Sequence, residues 1–139
     1  MSFFKFGPFT LFVFFIIFLA PNIGNSQKKR LKPPKRISKV TSVDLFVDKS
    51  FNLYNKIFVY DSLTQAGIDI PSELEDELTE RAEQDLDSLW QLAPDIVDDI
   101  SDASFMKQAK ATLNLNKAKK ALKYCGLIIK SYFIPEEED

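Results

Sequence analysis

Residues 71–100 read PSELEDELTERAEQDLDSLWQLAPDIVDDI, and this stretch decides the fold. Leu74, Leu78, Ala82, Leu86, Leu89 and Ala93 recur at steps of four or three, with Trp90 beside them. That period places apolar side chains on one face of an α-helix and leaves Glu, Asp and Gln on the other. Ser72 followed by Glu75 has the spacing of a capping box, in which two side chains satisfy backbone N–H groups at a helix start. Pro94 lacks an N–H and restricts Ala93, so a break or kink is predicted there. Ile96, Val97 and Ile100 carry the apolar face onward.

An apolar stripe needs a partner, and the flanking sequence offers two. Upstream, Ser42 to Ala66 has Val43, Phe46, Val47, Phe51, Tyr54, Ile57 and Phe58 at helical spacing. Ser42 is expected to cap this helix, Asp44 to sit in its first turn where the helix dipole favours an acid, and Gly67 to end it. A short strand competes over residues 51–60, FNLYNKIFVY, which are rich in aromatic and β-branched side chains. Downstream, a third helix is predicted from near Ser104 to about Phe133. Leu115, Ala118, Leu122, Cys125, Ile129 and Tyr132 alternate steps of three and four, and Met106, Ala109 and Leu113 extend the apolar surface upstream. Gly126 either permits close packing or ends the helix and leaves residues 127–134 extended. The expected fold class is therefore all-α: a small bundle of about three amphipathic helices, with helices two and three as an antiparallel hairpin, over residues 40–134.

Charge is segregated along the chain. Residues 27–60 carry nine basic and two acidic side chains, residues 61–102 one and fourteen, and residues 103–135 seven lysines and no acid. Acids of helix two and lysines of helix three are expected to line their seam and select the pairing, while the apolar stripe supplies the stability. Residues 27–39, QKKRLKPPKRISK, have two adjacent prolines and little to bury, which predicts a flexible basic arm. Residues 135–139, PEEED, predict an acidic disordered tail.

Residues 6–20, FGPFTLFVFFIIFLA, follow Lys5 and precede a stretch with Gly24 and Ser26, which fits a signal peptide over residues 1–26 cut before Gln27. The run is short for a membrane span. Against export stand Lys28, Lys29, Arg30, Lys32, Lys35, Arg36 and Lys39 just beyond it, because positive charge tends to stay on the cytoplasmic side. The alternative is an uncleaved inner-membrane anchor with a cytoplasmic body.

The sequence has no His and a single Cys, which removes imidazole catalysis, imidazole metal sites and intrachain disulfides. Asp95, Asp98, Asp99 and Asp102 are the candidate metal ligands: on a helix, three of them share a face and would suit a hard divalent cation. The plainer reading is a solvated acidic face. The carboxylates from Glu73 to Asp87 lie on the polar side of their helix, with nothing to desolvate them for acid–base work. Cys125 falls in the apolar seam, which favours a buried, inert thiol. The basic arm suits anionic lipid headgroups or wall polyanions better than nucleic acid, because it has no interleaved aromatics to stack bases. No catalytic residue, cofactor or small-molecule substrate is inferred. The sequence points to a non-catalytic binding or structural module of the bacterial envelope, exported to the periplasm, with a protein partner or a second copy as its ligand. A metal-dependent activity at Asp95–Asp102 is the enzymatic alternative.

Overall fold

Thr41–Gln65 forms helix α1, Ser72–Ser101 forms α2 and Phe105–Tyr132 forms α3 in a computed structural model that describes residues 29–133. There is no strand among the described residues. The chain divides into two compact units, residues 1–30 and 31–139. Of the first, Lys29 and Arg30 are described, and both are exposed. The expected signal peptide or anchor over residues 1–26, Lys28 of the basic arm, and the acidic tail over residues 135–139 lie outside the described residues.

The second unit is a three-helix bundle. α1 and α3 share the most extensive interface, and α2 packs on both. Their directions follow from which residues meet. Tyr54 and Tyr60 of α1 stack against Tyr124 and Tyr132 of α3, so both numbers rise together and these helices run parallel. Lys56 of α1 pairs with Glu77 of α2, and Gly126 of α3 lies against Leu86 of α2. The α2–α3 hairpin turns within residues 102–104, so α2 runs antiparallel to α3 and therefore to α1. Gln108 secures that turn by donating to the carbonyl oxygens of Ser101 (3.0 Å) and Ala103 (2.8 Å).

Residues 51–60 are helical, not extended. Phe51, Tyr54, Ile57 and Tyr60 are buried at steps of three, the period of a helix face. In α2 the stripe Leu78, Ala82, Leu86 and Leu89 is buried and continues through Ile96 and Ile100. Pro94 does not break it. The ring sits on the exposed side, where water can take the carbonyl freed by the missing N–H. α3 passes through Gly126 to Tyr132, burying Ala111, Leu115, Ala118, Leu122, Cys125 and Ile129.

Both predicted caps are absent. α2 starts at Ser72 itself, which makes Pro71 the cap position, and no side chain hydrogen-bonds there. α1 starts at Thr41, so Ser42 lies inside the first turn with its hydroxyl buried and unpartnered. The start of α1 is held from within instead. Asp44 Oδ1 accepts from Ser38 N–H and Ser38 Oγ, both at 2.8 Å, and Oδ2 accepts from Lys39 N–H at 3.1 Å. At the other end, Gly67 terminates α1 as expected, with φ +67°. Its N–H bonds the Thr64 carbonyl, and Ile68 N–H bonds that of Leu63, a Schellman motif.

The basic arm is seated from Leu31 onward. Leu31 N–H donates to Tyr54 Oη (2.8 Å), Asn114 Nδ2 donates to the Arg36 carbonyl (2.9 Å), and Ser38 and Val40 are buried. The segment has little apolar surface, but the bundle's polar side chains hold its backbone. Lys32, Lys35, Arg36 and Lys39 remain exposed.

Candidate functional site

The one buried carboxylate among the described residues is Asp61, near the C-terminal end of α1 and only 2% exposed. Its Oδ2 accepts from the phenol of Tyr124 at 2.8 Å. Its Oδ1 accepts from Tyr132 at 3.1 Å and from Gln65 Nε2 at 2.9 Å. Tyr124 falls here because it is adjacent to Cys125 of the buried stripe and so borders the α1 interface. Tyr60 stacks on Tyr132 at 5.4 Å and on Phe133 at 4.9 Å, which walls the cluster with rings. Burial, together with the Asp61 carboxylate, raises the Tyr124 and Tyr132 phenols above their ordinary value, so both act as hydrogen-bond donors at neutral pH. Neither of the two main surface hollows is lined by Asp61, Tyr124 or Tyr132. The cluster is suited to tying α1 to α3, and a substrate has no approach through either hollow.

The larger hollow is a groove of about 360 Å³ between α1 and α2. Leu53, Leu78, Ala82 and Leu89 form its floor, and Lys49, Lys56, Glu77, Arg81 and Asp85 stand along its edges. Lys56 bridges it by pairing with Glu77, and this contact holds the Glu77 carboxyl below the usual range. Arg81 and Asp85 approach to 3.9 Å within α2. The second hollow, about 270 Å³, lies between the seated arm and α1 and is lined by Pro33, Pro34, Phe51 and Asn114 among others.

The residues singled out from the sequence do not converge on either place. Asp95, Asp98, Asp99 and Asp102 are all exposed, and among the described residues no group of three or more His, Cys, Asp or Glu is placed to hold a metal ion. Cys125 is fully buried, and burial pushes its thiol up to about 12, which leaves it unreactive at neutral pH. The expected acid–lysine seam is not formed: among the described residues no α2 carboxylate pairs with an α3 lysine, and the ion pair between helices joins α1 to α2. Most α2 acids and α3 lysines are exposed, where hydration serves them better than an exposed pair would.

Asp61 and Asn114 do not stand out in the sequence. Asp61 follows the apolar run Ile57–Tyr60 at the spacing of the buried face, four residues after Ile57, and that is the signal that finds it. No family model, curated protein or solved structure matches the chain.

Proposed function

We propose that this chain is a non-catalytic binding or structural module of the bacterial envelope, exported to the periplasm through residues 1–26. The observation that carries the binding part is the apolar surface left outside the bundle. Phe105 (82% exposed), Met106 (69%), Leu113 (65%) and Leu127 (68%) project from α3 after α1 and α2 have packed. Large exposed apolar groups of this kind mark surfaces that meet another surface. The nucleophilic and acidic groups set inside the bundle, Cys125 and Asp61, are engaged in packing and in hydrogen bonds to phenols.

Recovery from detergent-solubilised envelopes with a stoichiometric partner, or as a defined oligomer, supports the module. Recovery as monomer alone, at low and at high salt, with no affinity for envelope membranes, overturns it.

A second reading has its own observation. The cations from Lys28 to Lys39 follow the apolar segment, the pattern of an anchor that keeps its body in the cytoplasm. Sequencing the mature N-terminus from native cells separates the two: a chain beginning at Gln27 supports export, and an intact Met1 supports the anchor.

A further inference from the structure

α3 carries two stripes on opposite sides. The buried one runs through Ala111, Leu115, Ala118, Leu122, Cys125 and Ile129. The other runs at helical steps through Phe105, Ala109, Leu113, Lys120, Lys123 and Leu127, with every one of these exposed. Met106, Ala109 and Leu113, expected from the sequence to extend the apolar surface upstream of the seam, belong to this outer stripe. Along its length stand the exposed lysines Lys110, Lys117, Lys120 and Lys123, and α3 contains no acid.

We propose that this outward face of α3 docks flat on an anionic lipid bilayer, and this deepens, and rests on, the reading of the chain as an envelope binding module. The stripe from Phe105 to Leu127 is about 33 Å long at 1.5 Å per residue. Apolar side chains interleaved with lysines on one helix face match an interface whose headgroups are negative and whose acyl boundary lies just beneath. Lysine stems lie along apolar surface while their ammonium groups reach phosphate. α3 lies on such a surface without crossing it: among the described residues no helix is long and apolar enough to span.

Charge complementarity selects the lipid over a second copy of the chain. The outward stripe of α2, Glu73, Asp76, Glu80, Asp87 and Asp98, is acidic and exposed but has no large apolar side chain. It would meet the lysines and leave Phe105, Leu113 and Leu127 against polar groups. The same acids, repelled by anionic headgroups, would hold α2 away from the membrane and so orient the molecule.

Two probes on the full-length chain test this. One protein carries Trp90→Phe with Phe105→Trp, so that its single indole reports on the start of α3. The other carries Leu127→Cys labelled with an environment-sensitive fluorophore, which the buried Cys125 thiol does not take up. Vesicles of phosphatidylcholine containing phosphatidylglycerol are expected to shift both probes to the blue. Brominated acyl chains should quench the indole, high salt should reverse the effect, and phosphatidylcholine alone should give none. Replacing Lys110, Lys117, Lys120 and Lys123 with Gln should weaken partitioning at least about tenfold, given the attraction of each lysine to an anionic surface. Vesicle binding with both probes silent means attachment through residues 1–39 and overturns the proposal. So do absence of vesicle binding, a blue shift that grows with protein concentration without lipid, and an equal shift with poly-glutamate. Each of these leaves a partner captured from envelopes standing, so the module reading fails or survives separately.

Discussion

Tyr124 on α3 donates its phenol hydrogen to the carboxylate of Asp61 on α1 across 2.8 Å, although 63 residues separate them in sequence. Tyr132, two turns further along α3, donates to the other oxygen of the same carboxylate. α1 and α3 run parallel and are not consecutive, so no short loop fixes their register. A carboxylate that must find two phenols spaced two turns apart on one helix tolerates few offsets. The aromatic seam of Tyr54, Phe58 and Tyr124 supplies area, and the polar cluster supplies the choice of alignment.

Tyr124→Phe is expected to cost about 2 kcal/mol, because it removes a donor from a buried acceptor and returns no water to it. Asp61→Asn keeps volume and an acceptor and should cost less alone. The two together should cost less than their sum by about 1 kcal/mol, since the lost phenol then leaves no charged carboxylate short of a donor. Urea unfolding of the four proteins checks this, and additive effects would mean the two groups are energetically independent.

Two glycines predict opposite outcomes from the same substitution. Gly67 has φ +67° and open space where a Cβ would go, so Gly67→Ala costs only the left-handed backbone, about 1 kcal/mol. Gly126 is helical, and a Cβ there would meet Leu86 Cδ2 at 3.7 Å, an ordinary contact. Gly126→Ala should therefore stabilise by about 0.5–1 kcal/mol through helix propensity. Thermal melts of both variants read out the contrast directly, and a destabilised Gly126→Ala would mean that α2 and α3 pack more tightly than described.

Asp44 predicts how the arm is held. It accepts three hydrogen bonds from Ser38 and Lys39, and Lys39 adopts φ +67°, a conformation unfavourable to a lysine without such a grip. Asp44→Ala should cost about 1–2 kcal/mol, at the upper end for a cap, since three donors lose one acceptor. It should also free the arm: trypsin should cut faster after Lys35 and Arg36, while the Lys32 bond stays protected by Pro33. Unchanged cleavage would show that Tyr54 and Asn114 hold the arm without Asp44.

The helices are legible in the sequence because a stripe of step three and four survives any choice of partner. Which stripe is buried is not legible in α3. Met106, Ala109 and Leu113 have the same spacing as Leu115, Ala118 and Leu122 but lie on the far side, and a sequence with apolar residues on both faces does not say which one meets the core. The arm departs from expectation for a related reason. Composition measures what a segment can bury and is silent about backbone groups captured by Tyr54, Asn114 and Asp44. Asp61 looks like the first acid of an acidic block, and its burial depends on Tyr124 and Tyr132, which only the tertiary pairing of α1 with α3 brings near.

Ser50 is fully buried in α1 and its hydroxyl has no hydrogen-bond partner. Ser50→Ala removes an unsatisfied polar atom and adds helix propensity with almost no change in volume, so stability should rise by about 1 kcal/mol. A loss on urea unfolding would indicate a partner for this hydroxyl, such as an ordered water.

Cys125 makes the fold sensitive to alkali. In the bundle the thiol keeps its proton up to about 12, against an ordinary value of 9.0, because burial disfavours the thiolate. The unfolded chain therefore releases this proton at lower pH than the folded one. Its contribution to stability is complete below about pH 9 and is lost as pH rises toward 12, at no more than about 1.4 kcal/mol per pH unit. Tyr60, Tyr124 and Tyr132, also raised from 10.0, add to the loss at the upper end of that window. Cys125→Ala should be less stable at neutral pH by about 1–2 kcal/mol, through the lost contacts of the sulfur. Between about pH 9 and 10 its stability should fall less steeply than the parent's, the remaining slope coming from the tyrosines. Urea midpoints across that interval under reducing conditions compare the slopes. Parallel slopes would mean that the thiol ionises as readily in the bundle as in the open chain, which a fully buried sulfur does not allow.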